Sequence, residues 1–187
     1  SRFVAILDCC HVTGPTSGPE LQVTALPSPG QAAGVTIADE DFDLSAEVAA
    51  LRQGMPAVGA VCSFVGTVRD RNEGASVATM ELEHYPGMTE KAIEAMMEQA
   101  FARFDILGAR VVHRVGLLQP LDQIVLVAVS SMHRGESFQA CEFLMDYLKT
   151  QAPFWKKEVT PEGARWVDAR VSDDAALARW GIASGNA

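Results

Sequence analysis

The sequence predicts a single α+β domain preceded by a short N-terminal extension. Alternating β-branched runs and helical apolar stripes follow one another from Val35 onward, with no split into two halves. The 187 residues leave room for one core and hardly for two. A hydrophobic fraction of 48% and a charged fraction of 21% match ordinary globular chains and exclude a largely disordered polymer.

Taken in order, residues 1–34 are punctuated by Gly14-Pro15, Gly18-Pro19 and Pro27-Ser28-Pro29-Gly30. They are expected to be a loosely attached extension, with the domain proper at 35–187. Val35-Thr36-Ile37 reads as a strand. Five acids between Asp39 and Glu47 then open a helix whose Leu44, Val48 and Leu51 fall at i, i+4 and i+7. Residues 59–68 are β-branched and aromatic, and Gly66 within them marks a bulge or a close backbone approach. A turn is expected over 70–74. Residues 77–84 alternate, with Ala78, Met80 and Leu82 on one face.

Pro86-Gly87 ends that strand, and Thr89 is expected to cap a long helix with Met88 and Ile93 as a hydrophobic staple. Its stripe is Ala92, Ile93, Met96, Met97, Ala100, Phe101 and Phe104. Strands follow at 110–115 and 124–130, the second apolar enough to be central. The last long helix spans 137–149, with Phe138, Cys141, Met145 and Leu148 inward. Pro153 stops it, because the residue before a proline avoids the helical region. Strand pieces at 155–159 and 165–167 close the pattern.

Fifteen Lys+Arg against 24 Asp+Glu give a net charge of −9, a poor match to nucleic acid or an anionic membrane. Cys9, Cys10, Cys62 and Cys141 have no CxxC spacing, so a reducing, cytoplasmic setting is expected. The longest apolar run, 124–132, is about half a membrane span, and no secretory signal is read. Four histidines at 11, 84, 113 and 133 form no HxH or HExxH, so no metal and no cofactor is expected.

The residues able to carry chemistry are cations. Arg69 ends a strand. His133-Arg134 lies between a central strand and a helix N-terminus, a common place to bind an anion. Lys149 and Lys156 flank Thr-Gln-Ala-Pro-Phe-Trp. Each also has a plainer explanation, since lysine at a helix C-terminus is favourable with the dipole and exposed arginines are common. There is no GxGxxG, GxxxxGK[ST] or GxSxG. What remains is an acidic α+β domain with a candidate anion pocket of Arg69, His133, Arg134, Lys149 and Lys156.

Several blocks in order resemble one family. They are Phe64-Val65-Gly66-Thr67-Val68-Arg69, Leu82-Glu83-His84-Tyr85-Pro86-Gly87-Met88, Ser131-Met132-His133-Arg134, and the long run from Met145 to Glu158. Together they are similar to the large, catalytic subunits of molybdopterin synthases, over about residues 35–180. The resemblance implies an α/β hammerhead-type fold with an antiparallel or mixed sheet packed by helices. It implies a homodimer that becomes a heterotetramer with a small ubiquitin-like sulfur-carrier subunit, whose C-terminal Gly-Gly thiocarboxylate enters the large subunit. Sulfur would pass twice to cyclic pyranopterin monophosphate, making the dithiolene of molybdopterin. By the same resemblance, Lys149 is the catalytic lysine and Lys156 a second essential one. Arg69, His133 and Arg134 bind the anionic pterin, and Phe64, Met145 and Arg170 line its pocket.

The residue types suit that chemistry. A phosphate and a thiocarboxylate are both anions, and cations must hold them together; arginine binds phosphate oxygens bidentately. Two ammonium groups ~8 Å apart at an effective dielectric of ~20 repel by roughly 2 kcal/mol, which leaves Lys149 mostly charged at neutral pH. A charged acid or electrophile is the favoured role. The competing reading is a relative that docks ubiquitin-like partners without catalysis, and the presence of both lysines speaks against it.

Overall fold

The computed structural model describes residues 32–72, 75–161, 163–167 and 178–182. In chain order the first elements are β1 (Ala32–Ala38), α1 (Leu44–Ala50), β2 (Ala60–Thr67), β3 (Arg71–Asn72), β4 (Ala75–Ser76) and β5 (Thr79–His84). They continue with α2 (Met88–Arg103), β6 (Ile106–Arg114), β7 (Gly116–Leu118), β8 (Gln123–Ser131), α3 (Arg134–Gln151), β9 (Phe154–Thr160) and β10 (Gly163–Val167).

One four-stranded sheet has the order β1-β6-β8-β2 and is mixed, because β1 runs parallel to β6 while the other pairs are antiparallel. The second, β10-β9-β5-β7, is antiparallel throughout. Both of the first sheet's faces are covered. On one, Val111, Val125, Val127 and Val129 pack against Ile93 and Met96 of α2 and Phe143 and Leu144 of α3. On the other, Leu51 beside α1 covers Val112, Leu126 and Ala128. Burial on two faces explains why β8 is a continuous apolar run rather than an alternating one. Each fully buried Phe or Leu here contributes on the order of 2–3 kcal/mol.

The α+β class and the mixed and antiparallel sheets follow the sequence-based expectation, with several local corrections. β1 starts at Ala32, inside the segment assigned to the extension, and residues 1–31 lie outside the described residues. β6 begins four residues earlier than expected, at Ile106, because Gly108 and Ala109 give no apolar signal of their own. β7 is an additional strand with no counterpart in the sequence-based reading. The expected turn after Arg69 is part of the two-residue ladder β3–β4.

Thr89 does not cap α2. Gly87 occupies that position at φ 79°, a value that favours glycine, and its N–H donates to the Glu90 carboxylate at 2.6 Å. Thr89 is instead fully buried, and its hydroxyl donates to the carbonyls of Tyr85 and Pro153. With the start moved, Met88 is 56% exposed and there is no staple. α3 begins one turn early, at Arg134, and the residue after its end, Ala152, is extended at ψ 129°, as Pro153 demands. Its buried stripe is Ser137, Ala140, Cys141, Leu144 and Leu148 with Phe143, so Phe138 points to solvent rather than inward. Beyond the sheets, Trp180 packs edge-on against Phe104 and Phe143, and its indole N–H donates to Asp146 at 2.8 Å.

Candidate active site

A cavity of about 650 Å³ opens where the C-terminal end of α3 meets the second sheet. Its floor is a cross-strand row of the first sheet, in which Gly66 of β2 faces Val125 of β8 and Val125 faces His113 of β6. Gly66 keeps this floor low, since a Cβ there would stand 2.9 Å from the Val125 methyl and 3.4 Å from the Phe64 ring. Both roles expected of this glycine are present, because the β2–β8 register also shifts between Gly66 and Thr67.

α3 supplies Met145 and Lys149 to one wall, and Lys149 is exposed. The break at Pro153 then turns the chain into β9, where alternation puts Phe154, Lys156 and Glu158 on the cavity side. Lys157 falls on the opposite face, where it pairs with Glu81 at 3.3 Å and lies over the Trp166 ring. Lys156 Nζ pairs with Glu158 at 2.6 Å, and Glu158 is 1% exposed. Asn72 Nδ2 donates to both Glu158 oxygens at 2.9 and 3.0 Å, and Arg69 donates to Asn72 Oδ1 at 3.4 Å. A carboxylate taken out of water needs such partners, and here they also hold Lys156 and Arg69 in place.

Among the described residues, four cations, Arg69, Arg71, Lys149 and Lys156, line the cavity against the single carboxylate of Glu158. On a chain of net charge −9, this is a local excess of positive charge over an apolar floor. It suits an anion that carries a flat or apolar body.

His113 is the remaining polar group of the floor. It is 9% exposed, stacks on Phe154 with centroids 3.8 Å apart, and shares a 2.8 Å hydrogen bond through Nδ1 with the Arg114 carbonyl. A carbonyl only accepts, so Nδ1 carries the proton. Burial lowers its pKa to about 4 and His84 adds to the lowering, so the ring is neutral at neutral pH.

Arg69, Phe64, Met145, Lys149 and Lys156 therefore share one cavity. His133 and Arg134 do not join them. They line a separate cleft of about 520 Å³ with Gly59, Ala60 and Met132, at the N-terminal end of α3. Within one copy of the chain the expected pocket is divided for a simple reason: Arg134 and Lys149 stand at opposite ends of a helix, about 22 Å apart along its axis. Arg170 lies outside the described residues. Sequence reasoning missed Arg71, Asn72, His113 and Glu158. Only Glu158 had a signal, its period-two spacing from Lys156. Among the described residues no group of His, Cys, Asp or Glu is arranged to hold a metal, and no helix is long and apolar enough to cross a membrane.

A mixed sheet backed by two helices and joined to an antiparallel one, with a cation-lined cavity at the junction, defines a class of α+β proteins whose cavity suits an anion. The family model described as "MoaE protein" matches residues 37–151. A molybdopterin synthase catalytic subunit of Ralstonia nicotianae is 65% identical over 82% of this chain and 87% of its own length. The solved molybdopterin biosynthesis MoaE protein from Burkholderia ambifaria superposes with a TM-score of 0.70 at 62% identity, over 80% of this chain and 99% of that one. A Helicobacter pylori complex of subunits 1 and 2 of molybdopterin-converting factor shares the fold at 19% identity, with a TM-score of 0.60 over 73% of this chain and 91% of that one. The chain belongs to the MoaE family.

Proposed function

We propose that the chain is the catalytic, sulfur-transferring subunit of a molybdopterin synthase, and that its cavity is where sulfur reaches the pterin. The observation that carries this reading is the excess of cations at the junction of α3 and β9. The donor is a small ubiquitin-like subunit ending in a Gly-Gly thiocarboxylate, and the acceptor is cyclic pyranopterin monophosphate. In each of two rounds a sulfur–carbon bond forms on the pterin side chain and a carbon–oxygen bond there breaks, its oxygen leaving with the phosphate or as water. The bond between sulfur and the carrier's carbonyl carbon breaks, and water replaces the sulfur to leave a carboxylate. Arg69 and Arg71 hold phosphate. Lys149, exposed and paired with no carboxylate among the described residues, offers its charge and its proton to the reacting thiocarboxylate. Lys156 is held on Glu158, so it serves as a fixed charge.

The distant cleft fits the same reading if two copies pair. β2 is an edge strand of eight residues with no charge and no proline, features that leave an edge open to pairing. Antiparallel pairing of two β2 strands about a two-fold axis would lay the Ala60 end of one copy beside the Thr67 end of the other. His133 and Arg134 of one copy would then approach the Arg69 end of its partner's cavity.

The decisive experiment incubates the protein with a thiocarboxylated small subunit and cyclic pyranopterin monophosphate and measures dithiolene product. Product is expected. Tight docking of the small subunit with no product would favour a docking module instead.

A further inference from the structure

We propose that His113 is a specificity-determining residue, whose Nε2 accepts a hydrogen bond from an N–H of the bound pterin ring. The inference rests on the sulfur-transfer reading and gives a role to a residue that the sulfur-transfer step itself does not use.

It begins with the ring's two nitrogens. Nδ1 is committed to the Arg114 carbonyl, which leaves Nε2 as a lone pair with no protein partner among the described residues. The residue is nine-tenths buried, yet it forms part of the cavity wall. The nitrogen itself reaches the open cavity rather than lying sealed in the core, so a ligand that supplies a donor can pair with it in place of water. Burial also keeps the imidazole neutral, so it cannot join the arginines and lysines in holding an anion.

The chemistry of the reactants then selects the partner. Phosphate and thiocarboxylate are acceptors, and a lone pair facing either would repel it. The pterin ring carries ring N–H and amino groups, which are donors. Its flat shape also fits the place, because His113 lies in the floor row opened by Gly66, with Phe154 stacked on it and the Phe64 ring nearby. Cations would take the charged end of the substrate, and His113 with its aromatic neighbours the heterocycle. The carrier's terminal amides are also donors, so the test must separate the two substrates.

Turnover is measured with the full chain and the thiocarboxylated small subunit, varying one substrate at a time. His113→Phe keeps an aromatic ring against Phe154 and removes the acceptor. It should raise KM for the cyclic pterin by about 10- to 100-fold while kcat stays within about threefold. His113→Gln, which offers a carbonyl oxygen at a similar reach, should recover part of that loss. An unchanged pterin KM in a folded His113→Phe protein, or a rise confined to the small subunit's KM, would overturn the proposal. Should the variants fail to fold, the wild-type protein labelled with ¹⁵N-histidine decides. The Nε2 resonance should move upfield on adding cyclic pyranopterin monophosphate and stay put on adding inorganic phosphate. No movement with the pterin, or equal movement with phosphate, refutes the assignment. Because this reads binding alone, it stands apart from a failure to form dithiolene, which would count against the sulfur-transfer reading.

Discussion

The two ends of α3 are both cationic, but they are built differently. At the C-terminal end, Lys149 and Lys156 face a walled cavity whose second lysine is tied through Glu158 and Asn72 to Arg69. At the N-terminal end, His133 and Arg134 sit exposed in a shallow cleft, with no side-chain cap on the helix. The first end has the scaffolding that fixes charges in place before a substrate arrives. The second has charge and free backbone N–H groups but little to orient them, as expected of a surface completed by another molecule. Similar residue types at two helix ends therefore need not do the same work.

Substitution at Lys149 should weigh most heavily. Lys149→Ala should lower dithiolene formation by on the order of 10²- to 10³-fold, the usual loss of a charge-stabilising donor at a reacting centre. The fold should hold, since an exposed lysine in the last turn contributes about 1 kcal/mol or less through the dipole. Lys149→Arg sharpens the assignment. Arginine keeps the charge but does not readily release a proton, so an active Arg variant means electrostatics and an inactive one means proton transfer or covalency. Wild-type turnover in Lys149→Ala would remove the cavity from the mechanism.

Lys156→Ala should differ by harming stability as well as activity. It strips a partner from a carboxylate that is 1% exposed, and with Lys156 itself 31% exposed the cost is discounted to about 2 kcal/mol. Replacing Glu158 as well, in a Lys156→Met, Glu158→Gln double variant, should recover part of the stability in denaturant titrations but none of the activity. Equal stability of Lys149→Ala and Lys156→Ala would break the distinction between the free and the tethered lysine.

The N-terminal end is tested by complementation. Lys149→Ala and Arg134→Ala proteins, each weakly active alone, should regain about a quarter of wild-type activity after mixing and subunit exchange. Half the dimers are then mixed, and each of these has one intact composite site. Absence of any recovery, with exchange demonstrated, would confine His133 and Arg134 to another role.

Acid should act on stability rather than on the transfer step. His113 titrates near 4 when folded and near 6.5 when exposed, because burial opposes its charge, with His84 adding to the shift and the Arg114 carbonyl opposing it. Its folded pKa is lowered, so stability is full above pH 6.5 and falls as pH drops toward 4. The loss totals roughly 3 kcal/mol. Folded variants at His113 should lose this slope, and an unchanged acid profile in His113→Phe would assign it elsewhere. Truncation at the N-terminus should matter least. Deleting residues 1–31 should change the melting temperature little, whereas deleting 1–34 removes the β1 residues paired with Gly108, Ala109 and Arg110 and should cost measurably more.

Element types and most of their order are legible in the chain itself, because periodicity and proline or glycine breaks are local properties. The alternation in β5, the stop before Pro153 and the apolar run of β8 are all readable. The motif blocks place Lys149 and Lys156 near each other, since only a helix end and a proline turn separate them. The remaining contacts arise only on folding. Glu158 and Asn72 meet across 86 residues, and His113 reaches the floor only because β6 lies beside β8. Folding also makes one continuous helix that holds Arg134 away from Lys149, a separation set by a rise of about 1.5 Å per residue. Local spacing records which residues are near in the chain, whereas the packing of sheet against helix selects those that share a cavity.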